Sequence, residues 1–322
     1  MDYGSGVVDR FCFYRFAYKA FDTVDNRLLI KKLKGYGIMD KECMWFTDYL
    51  ENRRQVVQHE NSFSEPCSVS FGVPQGSILG PLLFILFIND MPDAVVRCSI
   101  LMYADDTVLF FSAKDVVDLE NVLNAELQLI QNWLQMNNLF LNTTKAEVVL
   151  FGTDARLLNV ENSQVAIGHH HLKQVLEYKY LGVVLDENLS WKSHVKYIIS
   201  KAGKKIGLFG RVREDLTTNA ANLIYKTFIL PVMDYCDSVW ACCNRTDIDL
   251  LERLQNWAGR IVMKSSRSVP ALANLIWNSL ESRRNKHILK LVYKCLVKKA
   301  PQFSHDYSIY NREIISRITR QS

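Results

Sequence analysis

Ser99-Ile100-Leu101-Met102-Tyr103-Ala104-Asp105-Asp106-Thr107-Val108-Leu109-Phe110-Phe111 sets two adjacent carboxylates between two apolar runs. Alternating β-branched, aliphatic and aromatic residues on either side read as strands. Ala104-Asp105-Asp106 reads as a tight turn, which aspartate tolerates because its short side chain hydrogen-bonds the local backbone. The stretch therefore predicts a β-hairpin with two acids at its tip. Carboxylates held that close repel each other unless a cation neutralises them. A pair of Mg²⁺ ions does so by taking carboxylate oxygens together with substrate phosphate oxygens. Taken alone, the same residues also fit an exposed acidic turn with no ligand.

Three further blocks stand around it. Upstream is Phe71-Gly72-Val73-Pro74-Gln75-Gly76-Ser77-Ile78-Leu79-Gly80-Pro81-Leu82-Leu83-Phe84. Downstream come Asn142-Thr143-Thr144-Lys145-Ala146-Glu147 and then Tyr178-Lys179-Tyr180-Leu181-Gly182-Val183-Val184-Leu185-Asp186. These four blocks, in this order, resemble the reverse transcriptase of non-LTR (LINE-type) retrotransposons, closest in flavour to the jockey and CR1 groups. The resemblance runs from about Ala20 to about Pro301. It implies an RNA-directed DNA polymerase that extends a DNA 3′ end on an RNA template with Mg²⁺, Mn²⁺ being an alternative ion. Its partners would be the RNA template, a DNA primer or RNA–DNA hybrid, and dNTPs, in the nucleus or cytoplasm. By resemblance Asp105 and Asp106 hold metal, and Gln75 and Gly76 face the nucleotide and template base. Phe21 gates the sugar or is a core aromatic, Lys145 lies near the leaving pyrophosphate, and Leu181-Gly182 approaches the primer strand.

One position departs from the family pattern. Before Ala20-Phe21-Asp22 the family has a strand carrying its first metal-binding Asp; this chain reads Phe13-Tyr14-Arg15-Phe16-Ala17-Tyr18-Lys19. Aligned without gaps, Phe16 stands where that Asp belongs; with a one-residue slip, Arg15 does. Neither supplies the oxygen that Mg²⁺ requires. Asp9 is too far upstream, and Asp22 reads as the cap of the next helix. In a two-metal site the missing Asp bridges both ions and positions the attacking 3′ oxygen, so poor or absent activity is expected. The chain also starts after the family's basic finger segments and its endonuclease, and reads as a fragment, a degraded copy or a mis-predicted start. The competing function is a catalytically dead remnant that grips RNA or a hybrid through its basic helices.

Composition sets the bounds. The chain has 322 residues, 48% of them hydrophobic, enough for a packed core. No apolar run is long enough for a membrane span, and the N-terminus lacks a secretory layout. Eight scattered cysteines without a Cys-x-x-Cys suit free thiols in a reducing compartment. His169-His170-His171 reads as a loop rather than a metal site. Residues 1–191 hold 16 Lys and Arg against 24 Asp and Glu, whereas residues 192–300 hold 20 against 8. An acidic half followed by a basic half suits a metal-dependent site beside a surface for a phosphate backbone.

Along the chain, helices are expected over 28–36, 40–54, from Pro81 to an end near Asn89-Asp90-Met91-Pro92, and over 116–137. Strands are expected at 55–59, 68–71 and 148–151, with a turn near Pro66. The β-helix-β-β-helix-β order predicts an α+β fold, a ferredoxin-like polymerase palm. Residues 152–176 read as a hairpin-like insertion. After a helix opening at Ser190 the chain is helical: 196–213, 217–229, 230–240, 250–263 and 282–299. The predicted domains are 1–200, partial fingers and palm, and 201–322, a basic helical thumb and C-terminal segment. Lys201, Lys204 and Lys205 are its candidate primer and template contacts. Arg53 and Arg54 fit either a template phosphate contact or a solvated helix end.

Overall fold

The computed structural model describes residues 8–15, 20–142, 145–157, 164–265, 274–302 and 304. The chain divides into two compact units, Met1–Tyr178 and Lys179–Ser322. That division falls ahead of the 200/201 boundary read from the sequence, because the helix that begins at Lys192 packs wholly within the second unit.

The first unit is α+β. Its strands are β1 (Val8–Arg15), β2 (Ser99–Tyr103), β3 (Asp106–Ala113), β4 (Glu147–Phe151) and β5 (Lys173–Gln174), in the spatial order β5-β4-β1-β3-β2. Neighbours are antiparallel except β5, which runs parallel to β4. Helices α1 (Asn26–Gly35), α2 (Asp40–Leu50), α3 (Leu79–Ile88) and α4 (Val116–Met136) accompany the sheet. Leu83, Phe84 and Phe87 of α3 are fully buried, whereas Leu82 and Ile85 are about half exposed, so the helix, apolar all round, is buried on one face only. On α4 the stripe Leu119, Val122, Leu123, Leu127, Ile130 and Leu134 joins Leu109 and Val148 of the sheet in one core.

Two local expectations are corrected. The helix expected over 40–54 stops at Leu50, because Asn52 takes a left-handed φ of 56° and Arg53–Gln55 turns into a strand. The following strands form one interrupted hairpin: Arg53–Gln55 pairs with Cys67–Val69, and Gln58–His59 with Ser62–Phe63. Its tip is at Glu60-Asn61, and Pro66, which has no N–H, falls where the ladder breaks.

In the second unit, the strand β6 (Glu177–Tyr180) enters at Lys179 and pairs with β7 (Val183–Asp186). Helices α5 (Lys192–Val212), α6 (Thr218–Ile224), α7 (Leu230–Asp234), α8 (Arg245–Met263) and α9 (Leu280–Leu296) follow. A π-turn over Tyr225–Ile229 joins α6 to α7. Val195, Ile206, Tyr225, Trp240, Leu251 and Ala258 lie in its core. The helix expected over 230–240 ends at Asp234, where Cys236 turns left-handed at φ 51°. Ser190 is not the cap of α5. The Asp186 carboxylate accepts from Ser190 N at 2.7 Å and Trp191 N at 2.9 Å, while Trp191 sits at φ 67°. Among the described residues no helix is long and apolar enough to cross a membrane, and Cys43, Cys67, Cys98, Cys236, Cys242, Cys243 and Cys295 are free thiols.

Candidate active site and basic groove

In the first unit, β2 and β3 form the expected hairpin. Tyr103 pairs with Asp106 across Ala104-Asp105, and Ala104 takes the left-handed φ of 51° that such a turn demands. Asp105 and Asp106 are both half-buried. On the other side of β3, the register partner of Asp106 is Arg15. Phe16, the ungapped candidate for the missing carboxylate, lies outside the described residues. Lys145 is exposed and precedes Glu147, which pairs with Phe13 of β1. Since Arg15 is two residues beyond Phe13, Lys145 comes to the same end of the sheet as the Asp105-Asp106 turn.

The Pro74-Gln75-Gly76 loop is sewn to the chain around Phe21. Gly72 N donates to Val24 O at 2.7 Å, and Val73 N to Phe21 O at 2.8 Å. Gly72 sits at φ +81°, and a Cβ there would meet Asp22 Cα at 2.7 Å, so the approach needs glycine. Gly80 is equally constrained, its Cβ position being 2.5 Å from Pro74 O. Ser77 Oγ donates to Pro74 O and accepts from Gly80 N, both at 2.9 Å, which closes the loop onto α3. Gly76 opens to space at φ +81°. Phe21 is half-buried and stacks on Phe84 with ring centroids 4.3 Å apart.

Asp22 does not cap α1. Asp25 does, accepting from Arg27 N at 2.9 Å and Leu28 N at 3.1 Å. Asp22 instead accepts from Gln75 Nε2 at 2.7 Å and so orients the loop amide, a pairing across more than fifty residues that no spacing rule announces. Arg53 is neither a free phosphate contact nor a solvated helix end: it donates to Leu50 O, Phe71 O and Gly72 O.

The second unit gathers a basic groove of about 320 Å³. Across Leu181-Gly182, at φ 44° and 86°, β6 turns into β7. Tyr197, Lys201 and Lys205 succeed one another at four-residue spacing on one face of α5. Lys179 Nζ donates to Tyr197 Oη at 2.8 Å and lies 4.3 Å above its ring; Lys201 approaches the same ring at 5.5 Å. The hydrogen bond from Lys179 holds the Tyr197 phenol below its ordinary pKa. Lys205 donates to Phe228 O at 2.8 Å and sits 3.8 Å above that ring.

His194 forms part of the wall. Its Nδ1 accepts from Val184 N at 3.2 Å, which assigns the ring proton to Nε2, and that buried atom has no partner. Burial, reinforced by Lys179, pushes the imidazole pKa down to about 4. The groove is thus neutral at His194, cationic at three lysines, and contains a buried donor lacking an acceptor. Lys204 is exposed but does not line it. Arg213, at the end of the helix expected over 196–213, is buried and donates to Ile261 O, Val262 O and Leu216 O. Lys179, His194, Tyr197 and Tyr235 escaped the sequence reading; only the spacing of Tyr197 to Lys201 and Lys205 carried a signal.

The profile of the family described as reverse transcriptase (RNA-dependent DNA polymerase) matches residues 17–185, just over half of the chain. The chain belongs to the reverse transcriptase family. Within it, the similarity is to non-LTR retrotransposons. The probable RNA-directed DNA polymerase from transposon BS of Drosophila melanogaster is 29% identical over 261 residues, 76% of this chain and 28% of that protein. The RNA-directed DNA polymerase from mobile element jockey of Drosophila funebris is 28% identical over 247 residues, 74% of this chain and 26% of that protein. The chain spans about a quarter of the length of these curated relatives. Among solved structures, a telomerase from Candida albicans in complex with a telomeric RNA fragment is similar with a TM-score of 0.39 at 12% identity, over 84% of this chain and 46% of that one.

Proposed function

We propose that this chain carries a ferredoxin-like palm and a helical thumb of an RNA-directed DNA polymerase, built to extend a DNA 3′ end on an RNA template. The observation that carries this is the pair of half-buried carboxylates at the β2–β3 tip, beside a family match that covers the same unit. The strand order β4-β1-β3-β2, with α3 before β2 and α4 after β3, supports the palm. Asp105 and Asp106 offer the hard oxygen donors that Mg²⁺ or Mn²⁺ takes, and they would hold the ion. An ion held by these two carboxylates would supply charge neutralisation to phosphate oxygens. Lys145 donates to the departing pyrophosphate. Gln75, oriented by Asp22, meets the incoming dNTP, while Gly76 lets the backbone come close and Phe21 lies beside the sugar.

In the second unit, Lys179, Lys201 and Lys205 contact backbone phosphates at the primer side of the hybrid, while the buried His194 supports the groove wall through Val184 N. Leu181-Gly182 forms the turn on which the primer strand rests, and Lys204 adds long-range attraction. Catalysis in this chain is impaired, because Phe16 or Arg15 stands where the first metal-binding carboxylate belongs. A second reading, a gripping remnant without chemistry, is favoured by one observation: the register partner of Asp106 is an arginine.

Primer extension tests the first reading, with a DNA primer on an RNA template, dNTPs, Mg²⁺ and protein in excess. The expected result is slow extension, lost by a factor of about 100 or more in Asp105→Asn while hybrid affinity stays unchanged. Extension that survives Asp105→Asn would overturn it.

A further inference from the structure

We propose that α9 sets the primer-side turn from a distance, through Tyr235; the idea rests on the role proposed above for the groove. Tyr235 Oη donates to Leu181 O at 2.7 Å. Its ring passes 3.0 Å from the point where a Cβ on Gly182 would stand. Two residues in the left-handed region therefore lean on one tyrosine. The carbonyl that fixes the bend is held by its hydroxyl, and the glycine that permits the bend is covered by its ring.

Tyr235 is itself clamped. Asp234 precedes it and Asp237 follows it by two residues, so two carboxylates bracket the strut. Arg283 of α9 makes a bidentate ion pair with Asp234. One turn further along α9, His287 Nδ1 lies 2.6 Å from the buried Asp237 Oδ2. The backbone between the carboxylates is forced: Cys236 adopts φ 51°, a conformation L-residues hold only when their surroundings impose it. Trp240 Nε1 donates to Tyr235 O at 3.0 Å, and the buried Arg284 guanidinium stacks 5.2 Å from the Trp240 ring. Arg283, Arg284 and His287 thus bear on the segment 234–240 from one helix.

Asp234, Asp237 and His287 also place ligating atoms within 4.8 Å of one another, the outline of a metal site. The charges argue against a cation. Arg283 already neutralises Asp234, and Arg284 lies buried alongside, so a divalent ion would have to expel an arginine from a half-buried pair. The cluster is a clamp, and Tyr235 is a positioning residue with no place at the reacting atoms.

Hydrogen exchange at Leu181, Gly182 and Val183, alongside hybrid affinity and single-turnover extension, tests the proposal in Tyr235→Phe, Arg283→Ala and their double variant. Tyr235→Phe and Arg283→Ala should each speed exchange at the turn about tenfold, leave α8 amides unchanged, and weaken hybrid binding about fivefold. The double variant should be no worse than either single one, since both act through one strut, and Arg283→Lys should recover most of the loss. If Arg283→Ala fails to fold, His287→Gln opens the other arm and should give the same pattern. Unchanged exchange at Gly182 in Arg283→Ala or His287→Gln, or effects that multiply in the double variant, would overturn the clamp. Exchange is read without nucleic acid. Faster exchange at the turn with no hybrid binding by any form would therefore uphold the clamp and count against the polymerase reading alone.

Discussion

At the hairpin tip, Asp105 and Asp106 are consecutive, and one turn fixes how they meet. The groove draws Lys179 and Gly182 from a hairpin, His194, Tyr197, Lys201 and Lys205 from α5, and Phe228 and Tyr235 from either end of α7. The first arrangement depends on a few residues and fails with any one of them; in the proposed reading it already lacks its third carboxylate. The second is assembled from many weak contacts, and no single lysine decides it. In the proposed reading, recognition of a backbone and the chemistry performed on it can therefore be lost separately, and the two units invite separate tests.

The largest effect should come from Gly72→Ala. The new methyl would collide with Asp22 backbone at 2.7 Å from a positive φ. The first unit should lose about 3 kcal/mol or more in urea unfolding, because the contact is with backbone and the conformation is strained. The second unit's transition should stay in place; a shift in both would show that the units do not unfold separately.

Acid should weaken the second unit. The His194 pKa is lowered in the folded state from 6.5 to about 4. Below 6.5 the unfolded chain takes up the proton first, so stability is full above that pH and falls as pH drops toward 4. The loss should be on the order of 3 kcal/mol. His194→Asn, which keeps an acceptor for Val184 N, should flatten the dependence. A dependence that persists in His194→Asn would mean that another group carries it.

The smallest effect belongs to the lysines. Lys201→Ala with Lys205→Ala should weaken hybrid binding about tenfold at low salt and reduce the log–log salt slope by roughly 2. Lys204→Ala should shift affinity by less than half as much, because Lys204 does not line the groove. Equal losses for all three would replace a defined groove with a diffuse basic face.

These contrasts also explain what could be read in advance. The β2–β3 hairpin, α3 and α4 were legible because apolar periodicity and turn chemistry act over a few residues. The Gly72 and Gly80 constraints were half-legible: the block announced a loop, but only the fold shows the backbone each glycine must pass. Asp22 was read as a cap because an Asp before a helix usually is one, yet Asp25 won that place by standing nearer the first turn. The groove was least legible. Lys179 and Tyr235 are joined to α5 only by the packing of the second unit, and the charge of Arg213 is spent on three carbonyls that no spacing rule places beside it.

The central claim is that the grip is intact and the chemistry is short of one carboxylate. Phe16→Asp tests it directly, with single-turnover extension and hybrid affinity measured on the same preparation. The account predicts that the extension rate rises about 100-fold while the hybrid dissociation constant stays within a factor of two, the gain being that of a restored metal-binding carboxylate. No gain in rate at unchanged affinity would contradict it.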